Sequence, residues 1–223
     1  MEEEQHEGEY LLIDICGTLF KSNTTFDFVR YYFGQKKRVK FWFSLPYRIY
    51  NRLMYKCFHR EPLRMNLISM LKGISKDRLE EMAEQFLNDY LLKRELEPVI
   101  PFIDYCEMFG AKLIIVSATI DVIAHAVARY YEIDECLSTQ LNYNEDGICE
   151  GTIAYDLLSN KKEALAKINI LPPYYGVMTD NYSDIDLIHY SEDLYLISHN
   201  RSTKTWKKIL TPEEDKRASY ILP

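Results

Sequence analysis

The chain has 223 residues, 47% of them apolar, and a formal net charge of −7. This length suits one α/β domain, or a core domain with a modest insertion, and the apolar content excludes disorder along most of the chain. The acidic start Met1–Glu7 lacks an apolar run, and no stretch of about 18 apolar residues follows it, so we expect neither an export signal nor a spanning helix. The five cysteines lack metal-ligand spacing, which favours free thiols in a cytoplasmic protein.

The first predicted elements are a short strand and a long helical stretch. The apolar run Tyr10–Ile13 is typical of a buried strand, and Asp14 and Gly17 follow it in a predicted loop. Apolar residues then recur at helical spacing through residues 23–98, and Ser75 is a predicted N-cap within this stretch. The sequence therefore predicts one strand followed by several helices.

Strands and helices alternate in the remainder of the chain. The predicted elements are a helix at 102–109, a strand at 111–116, a helix at 120–131, a hairpin at 137–153, a helix at 161–168 and strands at 175–178 and 194–197. Such alternation predicts an α/β fold, with a Rossmann-like, doubly wound and mostly parallel sheet covered by helices on both faces. The last dozen residues are polar and predict an edge or a tail.

Three of the predicted strands end at a polar residue, namely Asp14, Ser117 and Asp180. Ligands of parallel α/β sheets bind beyond the carboxyl ends of the strands. The three side chains are therefore candidates for one converging site. Asp14 and Ser117 could instead cap the helices that follow them.

Four segments, taken in order, resemble the four sequence motifs of the haloacid dehalogenase (HAD) superfamily. They are Asp14-Ile15-Cys16-Gly17-Thr18-Leu19, Val116-Ser117-Ala118-Thr119, Lys161 or Lys162, and Thr179-Asp180-Asn181-Tyr182-Ser183-Asp184. The resemblance implies an α/β core of residues 1–22 and 99–223, with residues 23–98 inserted after the first strand as a helical cap. The hairpin Cys136–Ile153 and a lysine just before a helix are similar to the phosphoserine-phosphatase branch, a subfamily IB-like arrangement.

The resemblance implies a Mg²⁺-dependent hydrolase of a phosphomonoester that works through an aspartyl-phosphate intermediate. Asp14 would be the nucleophile, and attack by a carboxylate splits one difficult step into two easier ones. Mg²⁺ would bind the carboxylates of Asp14 and Asp180 and the backbone carbonyl of Cys16. Its charge would offset the repulsion between the nucleophile and the phosphate.

The other motif residues would bind the phosphoryl group. By the same resemblance, Lys161 would neutralise the nucleophile and the transferring group, and Ser117 would hydrogen-bond a phosphoryl oxygen, as would backbone N–H groups of the first loop. The implied substrate-binding residues are Gly17, Thr18, Ser117, Ala118 and Lys161. Asp184 would fix the metal's water or Lys161. Lys162 and Asp186 are the alternatives for the lysine and for the last aspartate.

Cys16 departs from the superfamily pattern. The superfamily's phosphatases usually carry a second Asp here, which protonates the leaving oxygen and later activates water. A thiol, with a reference pKa of about 8.5, is a poor substitute. Four interpretations stay open: a slow or specialised phosphatase, phosphoryl transfer to another acceptor, a binding protein without catalysis, or a different reaction such as phosphonate cleavage. Asp180, whose counterpart the metal-independent dehalogenases lack, favours a metal site and phosphorus chemistry.

A basic segment lies inside this acidic chain. From Arg30 to Arg64, ten basic residues stand against one acidic residue, Glu61, so the segment carries +9 and the rest of the chain −16. Aromatic residues, including Tyr55, interleave with these charges. The pattern is typical of an aromatic cap with a basic rim over a phosphate site. It is also typical of a helix that contacts an anionic membrane surface.

The expected partner is a small phosphorylated substrate. Phosphoserine itself is disfavoured, because family members that use it place a carboxylate soon after the first motif, whereas Lys21–Thr25 offers none before Asp27. A lipid-linked or sugar phosphate is compatible with the sequence, and the oligomeric state stays open. No recognised nucleic-acid motif accompanies the basic charge, so we expect no nucleic acid partner. The expected location is the cytoplasm, with the membrane periphery as an option.

Overall fold

The computed structural model describes residues 8–58, 61–198 and 200–222. The predictions made on the acidic start Met1–Glu7, on Arg60 and on the side chain of Tyr55 lie outside these described residues. Within the same ranges, no helix combines the length and the apolar character that crossing a bilayer requires.

Seven strands form one sheet in the order β4-β3-β2-β1-β5-β6-β7. The strands are β1 (Tyr10–Ile13), β2 (Lys112–Ile120), β3 (Glu135–Tyr143), β4 (Cys149–Tyr155), β5 (Tyr174–Thr179), β6 (Ser191–Ile197) and β7 (Ala218–Ile221). All neighbouring pairs are parallel except β3 and β4, which form the predicted antiparallel hairpin. The predicted α/β fold with a mostly parallel, Rossmann-like sheet is confirmed.

Eleven α-helices accompany the sheet within the described part of the chain. They are α1 (Thr24–Phe33), α2 (Lys37–Trp42), α3 (Leu45–Phe58), α4 (Pro62–Ile68), α5 (Lys76–Phe86), α6 (Ile100–Met108), α7 (Asp121–Tyr130), α8 (Lys161–Lys167), α9 (Ile185–Ile188), α10 (Asn200–Ile209) and α11 (Pro212–Lys216). The first five lie between β1 and β2 in sequence, where the helical stretch was predicted. Ser75 caps α5, as predicted, by accepting a hydrogen bond from the Arg78 N–H.

The helices between β1 and β2 pack into the same apolar cluster as one face of the sheet. Phe28 of α1 and Phe86 of α5 are fully buried and meet edge to face, with ring centroids 5.4 Å apart. The cluster continues into Ile13 of β1, Ile115 of β2 and Val127 of α7. The inserted helices therefore lie directly over the sheet. The division into a core and a separate cap domain stays a prediction.

Two parts of the sequence prediction differ from the structure. Strand β2 does not end before Ser117 but continues to Ile120, with an irregular register against β3 between these residues. The polar residues Ser117 and Thr119 hid this continuation, because a buried strand is expected to be apolar. Helices α10 and α11 were not predicted. β7 is a four-residue strand at the edge of the sheet, which agrees with the edge expected for the last dozen residues, but it is mostly not buried and lacks the apolar run that would have identified it as a strand.

Candidate active site

The strand register brings the predicted site residues to one edge of the sheet. Ile13, the last residue of β1, pairs with Ile115 of β2 on one side and with Met178 of β5 on the other. Asp14 follows at once, and its N–H donates to the Met178 carbonyl at 3.0 Å. Asp14 therefore lies at the carboxyl end of β1, where a turn and not a helix follows it, so it caps no helix.

A carboxylate–lysine cluster, formed by Asp14, Lys161, Asp180 and Asp184, occupies this edge. Lys161 is the first residue of α8, and its Nζ lies 3.3 Å from Asp14 Oδ1 and 2.8 Å from Asp184 Oδ2. Asp184 Oδ2 also accepts a hydrogen bond of 2.7 Å from Thr179 Oγ1. Burial alone would lower the pKa of Lys161, but the charges of Asp14 and Asp184 outweigh this and raise it above its ordinary value. The lysine therefore stays cationic.

The two sequence alternatives lie outside this cluster. Lys162 Nζ lies 3.9 Å from the centre of the Tyr190 ring, and Asp186 is exposed on α9. Lys161 and Asp184 are the residues that the structure brings together.

Asp180 completes the cluster and packs against Gly17. A methyl group built on Gly17 would lie 2.1 Å from Asp180 Oδ2, and the φ of Gly17 is 70°, so both space and backbone conformation favour glycine here. Burial of the Asp180 carboxyl, together with the negative charges of Asp14 and Asp184, raises its pKa to about 7. Carboxylates held this close repel each other until a cation or a proton joins them.

Thr18 holds the loop that carries Asp180. It is fully buried, its N–H donates to the Ile15 carbonyl at 3.3 Å, and its hydroxyl accepts from the Asp180 N–H at 3.0 Å. Accepting this hydrogen bond does not use the hydroxyl's own proton, so the contact of Thr18 with substrate stays a prediction. Gly17 does line the cavity, although its N–H donates to the Phe20 carbonyl at 2.9 Å.

The residues at this edge fit Mg²⁺ better than a softer metal. Within residues 8–58, 61–198 and 200–222, no group of three or more His, Cys, Asp or Glu side chains could hold a metal ion. Mg²⁺ does not need such a group, because it keeps several waters and is usually bound by one or two carboxylates together with substrate phosphate. Asp14 and Asp180 supply two hard oxygen donors at this edge of the sheet.

A hydroxyl–thiol cluster, formed by Cys16, Thr24 and Thr119, lies on the other side of Asp14. The Cys16 Sγ lies 2.9 Å from Thr24 Oγ1 and 3.2 Å from Thr119 Oγ1, and the two hydroxyl oxygens are 2.6 Å apart. Burial and the charge of Asp14 raise the pKa of the Cys16 thiol. Cys16 is therefore a neutral, protonated thiol near neutral pH.

The second predicted motif contributes Ser117 and Ala118 to the cavity wall. Ser117 is buried within β2, four residues before α7 begins, so it caps no helix. Its hydroxyl donates to Thr119 Oγ1 at 3.1 Å and accepts from the Thr119 N–H at 3.3 Å. Ser117 thus borders the cavity and is hydrogen-bonded to Thr119 of the hydroxyl–thiol cluster.

Arg64 of α4 links the inserted helices to the sheet. Its Nη1 lies 2.8 and 2.6 Å from the two carboxylate oxygens of Asp156, and its Nη2 donates to Thr139 Oγ1 at 2.9 Å and to the Ala118 carbonyl at 3.0 Å. Arg64 is only 5% exposed. It was counted in the basic segment, and this interpretation is corrected: its charge is paired inside the protein and is unavailable to an outside anion.

A cavity of about 830 Å³ lies between the inserted helices and the carboxyl edge of the sheet. The sheet side contributes Asp14, Cys16, Ser117, Lys161 and Asp180, and the inserted helices and their linkers contribute Phe26, Asp27, Asn51, Glu61 and Arg64. The Asp27 carboxylate, which accepts a hydrogen bond of 2.7 Å from the Ser22 hydroxyl, therefore borders the cavity. The volume suits a small organic ligand.

Sequence reasoning missed three residues of the site: Thr24, Thr119 and Arg64. Thr24 lies at the start of a predicted helix and Thr119 next to a predicted strand end, where hydroxyls are common for reasons of capping. Arg64 was hidden in a run of basic residues. The Thr119 in Val116-Ser117-Ala118-Thr119 offered some signal, because it lies two residues from Ser117, on the same side of a continued strand.

Comparisons with known proteins agree with this architecture. The family model described as haloacid dehalogenase-like hydrolase matches residues 11–189. A search of curated protein sequences gave no match. Among solved structures, a protein of unknown function from Bordetella pertussis Tohama I has a TM-score of 0.74 at 14% identity, covering 97% of this chain and 99% of that one.

Two further structures share the fold. A phosphoserine phosphatase determined as a phospho-aspartyl intermediate analogue has a TM-score of 0.61 at 17% identity, covering 97% of this chain and 94% of that one. A HAD family hydrolase from Salmonella enterica serovar Typhi has a TM-score of 0.62 at 15% identity, covering 88% of this chain and 64% of that one. The family model spans most of the chain, and this protein belongs to the haloacid dehalogenase-like hydrolases.

Proposed function

We propose that this protein is a Mg²⁺-dependent phosphohydrolase of a small phosphomonoester, with Asp14 as the nucleophile. One observation carries the proposal: Asp14, Lys161 and Asp180 meet at the floor of a single cavity, with Lys161 Nζ 3.3 Å from Asp14 Oδ1. A carboxylate beside a buried cation is held ready for an anionic electrophile. The same family includes hydrolases that act on other bonds. Family membership alone therefore does not identify the substrate class, and the proposal of a phosphate ester rests on Asp14, Lys161 and Asp180.

The reaction proceeds in two displacements. An Asp14 carboxylate oxygen bonds to phosphorus while the bond from phosphorus to the ester oxygen breaks, which leaves an aspartyl phosphate and an alkoxide or aryloxide. Water then attacks phosphorus and releases inorganic phosphate, which restores the Asp14 carboxylate. Lys161 balances the charge on the phosphoryl oxygens. The Ser117 hydroxyl, which borders the cavity, would turn from Thr119 to donate to one of them.

Mg²⁺ would be held by the carboxylates of Asp14 and Asp180 and by the carbonyl of Cys16, with water and phosphate in the remaining positions. When bound, it supplies the positive charge that lets a carboxylate and a phosphate approach each other. Asp184 acts on Lys161, whose ammonium it holds at 2.8 Å.

Cys16 limits the range of good substrates. Because its pKa is raised, the thiol has little tendency to give up or to take a proton during the reaction. An alkyl phosphate needs a proton on its leaving oxygen, whereas an aryl or acyl phosphate has a leaving group that departs without one. We therefore propose a slow or specialised enzyme that favours good leaving groups or a substrate with its own proton donor.

The proposal assigns the chain to the phosphoserine-phosphatase-like branch. Support comes from the hairpin β3–β4, from Lys161 at the first position of α8, and from the inserted helices after β1. Phosphoserine itself stays disfavoured as the substrate. Asp27 borders the cavity but accepts a hydrogen bond from Ser22, which already occupies one of its oxygens.

A protein that binds phosphorylated ligands without turning them over is the second candidate. The neutral hydroxyl–thiol cluster favours it, since Cys16, Thr24 and Thr119 are already satisfied by one another. Phosphonate cleavage is the third. The family's phosphonate-cleaving members place a Schiff-base lysine in the cap. Here Lys21 borders the cavity, while Lys36, Lys37, Lys40 and Lys56 are not among its lining residues.

The test compares an aryl phosphate with an alkyl phosphate in the presence of Mg²⁺ or a chelator. We expect slow, Mg²⁺-dependent release of phosphate from the aryl ester, and turnover of the alkyl ester lower by ~10²–10⁴. Asp14→Asn should remove both activities, and the exposed Asp186→Asn should change neither. Metal-dependent binding of inorganic phosphate with no turnover of any ester would favour the binding protein instead.

A further inference from the structure

The outer side of α2 and α3 carries a stripe of exposed apolar side chains. Leu45, Ile49 and Leu53 recur every four residues on one side of α3 and are 69%, 53% and 56% exposed. Residues four apart lie on the same face of a helix, so the three side chains form one continuous surface. Phe41 of α2 is also 60% exposed, and its ring centroid lies 5.5 Å from that of Tyr47 of α3.

The opposite side of α3 is bound to the protein. The Asn51 Oδ1 accepts a hydrogen bond of 2.8 Å from the Leu63 N–H, and the half-buried Tyr47 hydroxyl accepts from the Asn66 side chain. Tyr47 also packs in the main apolar cluster. The helix is therefore fixed in rotation, and its apolar stripe faces outward because the polar contacts hold the other side.

Positive charge flanks the stripe. Six basic side chains of α2 and α3 are exposed, namely Lys37, Arg38, Lys40, Arg48, Arg52 and Lys56. Within the part of the chain that the structure describes, none of them forms an ion pair with a carboxylate. Residues 30–58 contain no Asp or Glu at all. This concentration of unpaired charge, in a chain whose net charge is −7, favours an anionic partner.

We propose that this lipid-facing surface, defined by Phe41, Leu45, Ile49 and Leu53 with the six cations of α2 and α3, binds anionic phospholipid bilayers. A helix with bulky apolar residues on one side and Lys or Arg beside them lies in the interface of a membrane. Its apolar groups enter the acyl boundary and its cations contact the headgroups. A soluble anion would bind the basic side chains but leave the apolar stripe exposed to water. An anionic bilayer contacts both the basic side chains and the stripe.

The remainder of the molecule supports one orientation on such a surface. All Asp and Glu residues of the chain lie outside residues 30–58, so the rest of the protein is acidic on balance and an anionic bilayer favours contact through α2 and α3. Helix α3 also contributes Asn51 to the wall of the cavity. When α3 binds the bilayer, the cavity therefore lies next to the membrane. Lipid binding requires no turnover, so the inference stands apart from the proposed function.

The test is co-sedimentation of the full chain with two kinds of vesicle. One contains phosphatidylcholine alone and the other phosphatidylcholine with about one third phosphatidylglycerol. We expect binding to the anionic vesicles only, weakened as salt rises from low to high ionic strength because salt screens exposed charges. The apolar stripe should keep part of the binding at high salt.

Two variants with matched controls separate the two contributions. Arg48→Gln/Arg52→Gln/Lys56→Gln should lower the partition coefficient about 100-fold, since each basic residue near an anionic surface contributes about fivefold. Its control, Lys204→Gln/Lys207→Gln/Lys208→Gln, removes the same charge from exposed positions of α10 and should leave binding within about threefold.

For the stripe, Ile49→Ser/Leu53→Ser should lower binding about tenfold or more and remove the salt-resistant part. Its control is Tyr105→Ser/Met108→Ser on α6, two residues that are 50% and 73% exposed. All replaced side chains are exposed, so the melting temperature should stay within a few degrees in each variant.

Three outcomes would overturn the proposal. The first is equal binding of the wild type to neutral and anionic vesicles, or none to either. The second is a loss in the α10 or α6 controls as large as in the α3 variants. The third is a concentration-dependent dimer that Ile49→Ser/Leu53→Ser dissociates, without any vesicle binding. That result would assign the surface to a second copy of the chain.

Discussion

The two sides of the cavity floor differ in how they handle charge. On one side, the carboxylate–lysine cluster gathers three carboxylates around a buried ammonium, with Lys161 Nζ within 3.3 Å of Asp14 and 2.8 Å of Asp184. On the other, the hydroxyl–thiol cluster holds Cys16 between Thr24 and Thr119 and carries no charge. Asp14 and Cys16 are two residues apart, so one short loop supplies both sides.

Under the proposed function, the protein has two tasks: to accept a phosphoryl group and to move a proton. The first task needs a nucleophile, a cation and hydrogen-bond donors, which the carboxylate–lysine cluster and Ser117 would provide. The second needs a group whose pKa lies near the working pH, and the Cys16 thiol, with its pKa raised by burial, is not one. The hydroxyls of Thr24 and Thr119 nevertheless contact the Cys16 side chain. If an aspartate replaced Cys16, they would donate hydrogen bonds to its carboxylate.

Cys16→Asp should therefore have the largest effect. We expect turnover of alkyl phosphates to rise by ~10²–10⁴, the usual contribution of general acid–base catalysis, with a much smaller change on aryl phosphates. Steady-state kinetics on matched alkyl and aryl esters gives the comparison. Cys16→Ser, which keeps a neutral hydrogen-bonding group, is the control and should not raise alkyl turnover. A wild type already fast on alkyl esters would contradict this account of Cys16.

Asp180→Asn should weaken Mg²⁺ binding by about tenfold or more, because it removes one of two anionic oxygen ligands. The affinity of the unmodified protein should also fall as the pH drops below about 7. The raised pKa of Asp180 means that the apo carboxyl binds a proton there, and Mg²⁺ must displace it. Calorimetric titration across pH measures both effects.

In Asp180→Asn the pH dependence near 7 should flatten. The control is Asp27→Asn, which changes a carboxyl that borders the cavity but takes no part in the carboxylate–lysine cluster. Equal weakening of Mg²⁺ binding in both variants would place the metal elsewhere in the cavity.

The sequence predicted the charged side of the floor better than the neutral side, for a physical reason. Asp14 and Asp180 each follow an apolar strand, and parallel strands bring their carboxyl ends together whatever the rest of the fold does. Local pattern thus fixes which edge they share. The hydrogen bond from the Asp180 N–H to the Thr18 hydroxyl was not predicted, because the two residues are 162 positions apart in sequence.

The neutral side depends on contacts that no local pattern encodes. Thr24 and Thr119 are 95 residues apart, and their hydroxyls meet only because α1 packs over the end of β2. Arg64 is similar: it looks like one more cation in a basic run, and only its four hydrogen bonds across the cavity wall distinguish it. A pair of distant polar residues becomes predictable only once the fold is known.

Arg64→Met should reduce the free energy of unfolding by about 2–3 kcal/mol. The change leaves the Asp156 carboxylate and the Ala118 carbonyl without their donor, and breaking a buried ion pair is costly because one charge stays unpaired. Asp156 is partly exposed, at 36% of its side chain, so water recovers some of this loss. Chemical denaturation followed by circular dichroism measures the difference.

The matched control is Arg78→Met, which breaks the exposed Arg78–Glu81 pair, whose distance of 2.7 Å is close to the 2.6 Å of Arg64–Asp156. Pairs of this kind contribute about 0–1 kcal/mol. Similar losses in the two variants would mean that the Arg64 contacts do not hold the inserted helices to the sheet. A larger loss for Arg64→Met would identify it as their main polar connection.

Thr24→Val should have the smallest effect and tests the hydroxyl–thiol cluster directly. Valine matches threonine in shape, so the variant removes one buried hydroxyl and its contacts with Cys16 and Thr119. The loss should be about 1 kcal/mol, because Thr119 keeps Ser117 and Cys16 as partners. The exposed Thr152→Val is the control, with an expected change within about 0.5 kcal/mol.

The same substitution is more informative in the Cys16→Asp background. There the Thr24 hydroxyl would donate to a carboxylate, and a hydrogen bond to a charged group contributes about 1.5–3 kcal/mol. A double-mutant cycle should therefore give a positive coupling energy between positions 16 and 24, with part of the gained alkyl activity lost in Cys16→Asp/Thr24→Val. Additive effects would mean that the new carboxylate turns away from Thr24. The hydroxyls would then be partners of the thiol alone, and replacing Cys16 would not be enough to complete the proton-handling side.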